Sequence, residues 1–189
     1  MDKFQKRKKD ILSKTDKSHI GTWDEKIAKL CKEINAEKRY YTTSSCSGRV
    51  ILMIEQDKKG KDLFVFVSHD KISFDELKKN LELALKKRKK IKFKLEPCIL
   101  HVSCKTLEDA EKLYDIAKTA GWKKSGIIGT RNSFSVELNA TDRLEFPIID
   151  KNKILVSDDF LKVIVEQSNK KLEKSGEKIK KLEKEVEKI

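Results

Sequence analysis

From Tyr40 onward the hydrophobic period of the chain changes, and that change settles the fold class. Upstream, Trp23, Ile27, Leu30, Cys31 and Ile34 recur at helical spacing. A helix is expected there, opened by Thr22 as N-cap with Glu25 in the capping-box position and ended at Asn35. Residues 40–45 are instead rich in Tyr and Thr and read as a strand. Residues 50–56 and 63–68 read as buried strands, and with residues 40–45 they predict a meander. Further strands are expected at 91–95, 98–103, 126–130, 133–138, 143–148 and 153–156. Two more amphipathic helices start at Ser73 and Thr106, and a short basic helix covers residues 3–14. Strands outnumber helices, and short turns join neighbouring strands. The expected fold is therefore α+β: a mixed, largely antiparallel sheet, three packed amphipathic helices and a long C-terminal helix, not a Rossmann fold.

Residues 1–156 read as a single catalytic and RNA-binding domain. Residues 157–189 read as one long helix that docks and then partly projects. Leu161, Ser168, Ser175, Leu182 and Ile189 repeat every seven residues, offset by four from Val165, Leu172, Ile179 and Val186. That is an a/d seam, weakened by its serines. A monomer is expected, with self-association through this helix left open.

The net charge is +13, and it is concentrated: residues 1–14, 78–94 and 169–189 carry more than all of it. A polyanion is the natural partner, and nucleic acid is the commonest one. A solvated basic helix is the plainer reading of the same charge. Cys31, Cys46, Cys98 and Cys104 form no CxxC pair and have no His at zinc-ligand spacing, so no metal site is expected. They read as reduced thiols of a reducing compartment. No apolar run approaches the roughly 20 residues of a membrane span, and a cytoplasmic location without membrane contact is expected.

Glycine-rich dinucleotide and nucleoside-triphosphate loops are absent, as is HExxH. What stands out is residues 42–49, Thr-Thr-Ser-Ser-Cys-Ser-Gly-Arg. Thr43, Ser44, Ser45 and Ser47 supply hydroxyls, Gly48 permits a left-handed turn that aims amides at an anion, and Arg49 adds a fork for carboxylate or phosphate. A Ser/Thr-rich hairpin turn is the competing reading. Cys46 lacks an adjoining activator and reads as a packing residue. Ser68-His69-Asp70 closes a strand, where His69 and Asp70 are either acid–base groups or parts of a turn. His101 sits in an apolar strand with Leu100 and Val102 on the opposite face; it is either a satisfied core histidine or part of a pocket.

These residues resemble the tRNA wybutosine-synthesizing protein 3 family. The resemblance runs through Asp16-Lys17-Ser18, Gly21, Asp24, Ile34-Asn35 and residues 40–49. It continues at Val67-Ser68-His69-Asp70, at residues 92–102 with Glu96-Pro97 and His101, and at residues 120–127 with Ser125. Arg131, residues 145–148 and residues 169–172 complete it. The chain departs from the pattern at Cys98, where an aromatic is expected, and at Lys123-Lys124, where Arg-Asn is expected.

The resemblance implies an S-adenosylmethionine-dependent methyltransferase. It would act on N4 of the aminocarboxypropyl-demethylwyosine base beside the anticodon of tRNA(Phe). Asp70 or His69 would then be the base. Ser18, Thr43, Ser44, Ser45, Ser47, Gly48, Arg49, Ser68, His101, Ser125 and Arg131 would bind cofactor or substrate. Lys86, Lys87, Arg88, Lys89, Lys90, Lys123 and Lys124 would meet tRNA phosphates, and Tyr41 or Trp122 would stack on a splayed base. A non-catalytic RNA-binding protein whose serine-rich loop holds phosphate is the alternative.

Overall fold

The structure, a computed structural model, describes residues 2–14, 24–56, 63–129 and 134–188. In chain order its elements are α1 (Lys3–Leu12), α2 (Glu25–Ala36), β1 (Tyr40–Cys46), β2 (Arg49–Ile54), β3 (Phe64–Ser68), α3 (Phe74–Leu85), β4 (Ile91–Glu96), β5 (Ile99–Cys104), α4 (Leu107–Thr119), β6 (Gly126–Gly129), β7 (Phe134–Asn139), β8 (Leu144–Asp150), β9 (Lys153–Ile154) and α5 (Asp158–Val186). The α+β class and the long C-terminal helix agree with the sequence reading. The strands form two sheets, and every pairing among the described residues is antiparallel.

The chain divides into two compact units. The first comprises Met1–Ser47, Cys98–Thr141 and Ser175–Ile189; the second comprises Gly48–Pro97 and Asp142–Lys174. The first holds the sheet β1-β5-β7-β6, the second the sheet β3-β2-β4-β8-β9. The expected meander of the first three strands is therefore wrong. β2 and β3 do form a hairpin, but β1 pairs with β5. The polar turn after β1 is consequently a passage between sheets, and the reading of residues 42–49 as a hairpin turn falls with the meander.

In the first unit, Leu100 and Val102 of β5 and Val136 and Leu138 of β7 are fully buried with Ile27 and Leu30 of α2 and Leu113 and Ala117 of α4. Strand alternation sends the residues between them to the opposite face of the sheet. Asp24, not Thr22, is the N-cap of α2: its Oδ1 accepts from Lys26 N at 3.2 Å. Thr22 lies outside the described residues. In the second unit, Val50, Leu52, Phe93 and Leu95 form a core with Leu77 and Leu81 of α3, whose capping box of Ser73 and Glu76 is intact.

The apolar seam of α5 is spent inside the chain. Leu161 and Ile164 lie in the second core, and Ile179, Leu182 and Val186 in the first. Ser168 and Ser175 are buried at 0% and 1% exposure, so the two serines in the seam are small packing residues. No helix among the described residues is long and apolar enough to cross a membrane.

Gly121 follows α4 with φ +94°, a left-handed conformation that disfavours any Cβ, while the surrounding space is ordinary contact with the Lys178 side chain. Gly121→Ala is expected to cost about 1 kcal/mol, read as a lower denaturant midpoint at unchanged slope.

Candidate functional site

A one-residue irregularity in β1 sets up the polar face of the first sheet. Thr42 pairs with Val102, yet Ser44 pairs with His101, so Thr43 is the extra residue of a bulge. In a regular strand Thr42 and Ser44 would share a face. The bulge sends Thr42 toward the core and Ser44 to the other side. Asn35 fixes the rung before it: its Nδ2 donates to Thr42 Oγ1 at 2.9 Å, and its Oδ1 accepts from Thr42 N at 2.7 Å.

The result is a straight row across three strands. Ser44 is opposite His101, and His101 is opposite Glu137 of β7. Ser44 Oγ lies 2.7 Å from His101 Nδ1, and His101 Nε2 lies 2.9 Å from Glu137 Oε2. Asn139 Nδ2 reaches Glu137 Oε1 at 3.5 Å. Ser44 is exposed, while the His101 and Glu137 side chains are 27% and 32% exposed. His101 thus lies on the polar face, with its ring held at both nitrogens. Thr43 Oγ1 donates to His101 O at 3.4 Å.

Two buried polar atoms near this row have no hydrogen-bond partner among the described residues: Ser47 Oγ and Asn139 Oδ1. The Ser47 backbone N–H is used, donating to Asp24 Oδ2 at 2.9 Å, so the N-cap of α2 also ties down the end of β1. Ser125 Oγ donates to Trp122 O at 2.6 Å and accepts from Asn139 N at 3.3 Å. Ser125 also lines a cavity of about 550 Å³ with Glu111, Tyr114, Asp115, Gly126 and Ile127.

Gly48 and Arg49, the end of the serine-rich segment, belong to the second unit. Gly48 has φ 104°, the left-handed turn expected of it. Arg49 Nε lies 2.9 Å from Glu96 Oε2, and its guanidinium sits 5.3 Å over the Phe64 ring. Val50 pairs with Ser68, so Arg49 and His69 are the next residues outward on the β2–β3 hairpin. Ser68 Oγ donates to Asp70 O and accepts from Asp70 N, at 3.1 and 3.2 Å, in a compact turn. Ser45 is half-buried at the end of β1. Ser18 and Arg131 lie outside the described residues.

Two aromatic expectations fail. Trp122 is fully buried, with its Nε1 donating to Lys178 O at 3.1 Å, and Tyr41 is 1% exposed beneath Phe4 of α1. Neither presents a face to a base. The basic segment 78–94 is partly neutralised: Lys78 pairs with Asp158, Lys92 with Glu55, and Lys94 with Glu145. Lys86, Lys87, Arg88, Lys89 and Lys90 remain exposed beyond α3, with Arg88 at φ 52°, as do Lys123 and Lys124. Lys8 of α1 is buried and donates to Glu37 O at 2.6 Å, so it is structural and not a phosphate contact.

Glu137, Asn139 and Asn35 were not singled out from sequence as functional. Glu137 had a faint signal, an acid in an otherwise apolar strand. Its meaning depended on knowing which strand lay beside it.

The chain matches the Methyltransferase TYW3 family over residues 6–188. A zebrafish (Danio rerio) relative, the tRNA wybutosine-synthesizing protein 3 homolog, is 35% identical over 94% of this chain and 72% of its own length. A Thermococcus sibiricus relative is 33% identical over 97% of this chain and 93% of its own. It is named tRNA(Phe) 7-((3-amino-3-carboxypropyl)-4-demethylwyosine(37)-N(4))-methyltransferase. Among solved structures, the PH1069 protein of Pyrococcus horikoshii superposes with a TM-score of 0.85 at 33% identity, covering 97% of this chain and 95% of that one.

The four cysteines form no disulfide. Cys31, Cys98 and Cys104 are buried, and burial, reinforced by Asp109, pushes the Cys104 thiol up to about 12. Cys46 alone of the four is partly exposed. Iodoacetamide is therefore expected to modify Cys46 in the folded protein and all four thiols after denaturation, read by peptide mass spectrometry. Native labelling of Cys104 at a comparable rate would contradict this burial.

Proposed function

This chain belongs to the Methyltransferase TYW3 family, and on that premise we propose that it methylates N4 of the 7-aminocarboxypropyl-demethylwyosine base of tRNA(Phe), using S-adenosylmethionine. The observation that carries the reading is the match along 97% of the chain to a relative named for that reaction. The site chemistry fits a donor of this type. A methionine-derived cofactor carries a carboxylate and an ammonium group. Ser47 Oγ can donate to the first and Asn139 Oδ1 can accept from the second, and both are buried polar atoms without a partner among the described residues.

S-adenosylmethionine supplies an activated methyl group on a sulfonium sulfur, so the protein's work is alignment more than covalent help. Ser44, Ser45, Ser47 and the left-handed turn at Gly48 are the groups proposed to hold cofactor and base. Thr43 supports them from the bulge. Arg49, held by Glu96, offers its remaining donors to a carboxylate. For Ser68, His69 and Asp70 the proposal rests on the family resemblance alone, with His69 and Asp70 as one candidate pair for removing the N4 proton. Ser18, His101, Ser125 and Arg131 complete the set carried over from the family resemblance. The exposed Lys86, Lys87, Arg88, Lys89 and Lys90, with Lys123 and Lys124, are proposed to track phosphates around the anticodon. The chain acts as a monomer on this reading, because the α5 seam is buried within it.

Incubation with labelled S-adenosylmethionine and tRNA from cells blocked before this methylation is expected to label tRNA(Phe) alone. Intact tRNA binding without transfer would favour a non-catalytic RNA-binding protein instead. Replacing Lys86, Lys87 and Lys89 with Ala is expected to weaken tRNA binding and to lower the slope of log affinity against log salt by about 0.7–0.9 per lost phosphate contact. An unchanged slope would remove that loop from the interface.

A further inference from the structure

We propose that Ser44, His101 and Glu137 form a proton relay that takes up the proton leaving the methyl-acceptor nitrogen. The proposal rests on the methyltransferase reading above and deepens it by naming the base.

The need for a base follows from the balance of the reaction. As the N–CH3 bond forms, the S–CH3 bond breaks with its electron pair left on sulfur, and an N–H acceptor must shed its proton. The geometry of the row tells where that proton goes. Glu137 Oε2, a carboxylate oxygen, only accepts hydrogen bonds, so the proton between it and His101 belongs to Nε2, 2.9 Å away. Nδ1 then keeps its lone pair, and Ser44 Oγ–H donates to it across 2.7 Å. Ser44 is the outermost member, exposed on β1, with His101 and Glu137 behind it at about a third exposure or less.

A donor N–H brought against Ser44 Oγ can hand its proton to that oxygen while the hydroxyl proton moves to His101 Nδ1. The imidazolium so formed carries its new charge beside the Glu137 carboxylate. Ser44 and His101 are catalytic in this scheme. Glu137 is a positioning residue, fixing the tautomer and balancing the charge, and Thr43 is the bulge residue that turns Ser44 toward the ring. The three residues come from three different strands at one level of one sheet, so no local sequence pattern spells them out.

The test uses the full-length protein, single-turnover methyl transfer and nitrogen-15 histidine spectra. The wild-type spectrum is expected to show His101, when neutral, as the Nε2–H tautomer; an Nδ1–H tautomer would overturn the relay. His101→Ala is expected to lose roughly 10²–10⁴-fold in kcat, with tRNA and cofactor binding retained, and to recover activity in proportion to added imidazole. Glu137→Gln is expected to lower kcat at least tenfold with KM unchanged, and Glu137→Asp to regain part of the loss. A His101→Ala enzyme as fast as wild type, or one that imidazole does not rescue, refutes the proposal. So does a Glu137→Gln enzyme altered only in KM, or a loss of kcat confined to His69 or Asp70 variants. Absence of transfer by the wild-type protein itself would instead strike the methyltransferase reading, while the tautomer still reports on the row.

Discussion

One extra residue in an edge strand governs the arrangement of polar groups in the first unit. β1 runs antiparallel to β5, and side chains on such strands alternate between core and outer face. Without the bulge at Thr43, the rung that buries Thr42 over Val102 would bury Ser44 as well. With it, Ser44 meets His101 and completes the line to Glu137. Asn35 supports this from α2 by satisfying both the backbone and the hydroxyl of Thr42 just before the break. Asp24, at the other end of the same helix, does the same for the Ser47 amide. A helix thus clamps both sides of an irregular strand. That is the kind of support a bulge needs, since its unpaired residue forfeits ladder hydrogen bonds.

Electrostatics shows the same dependence on neighbours. Summed along the sequence, residues 78–94 look like an unbroken basic surface. In the folded second unit, Lys78, Lys92 and Lys94 each have a carboxylate partner from elsewhere in the chain. The exposed positive charge is left on Lys79 and on the loop after α3, where Lys90 itself lies 3.9 Å from Asp150. Lys8 illustrates the extreme case: part of a basic N-terminal run, it is withdrawn from solvent to cap the backbone carbonyl of Glu37, and burial lowers its pKa.

Much of the local structure was legible because it rests on local physics. The helix starts at Ser73 and Thr106, the stripe of α2 and the left-handed glycine after α4 are each set by residues within a turn or two. Cys31, part of that stripe, is buried with it. The expected meander does not form, because short polar turns look alike whether they return a strand beside its predecessor or carry it to another sheet. Tyr41 and Trp122 are not the exposed platforms expected from sequence, because an aromatic's burial depends on what packs over it, here Phe4 and the C-terminal part of α5.

The sequence by itself determined the fold class, the helix boundaries within a few residues and the family. Each of these is written in contiguous residues, through period, capping or ordered motifs. The tertiary structure alone decided that the chain builds two sheets and that the α5 seam is buried within its own units. It also decided that His101 stands between a serine 57 positions before it and a glutamate 36 positions after it. Those outcomes depend on which strands become neighbours and in what register, and register is fixed by packing among distant segments.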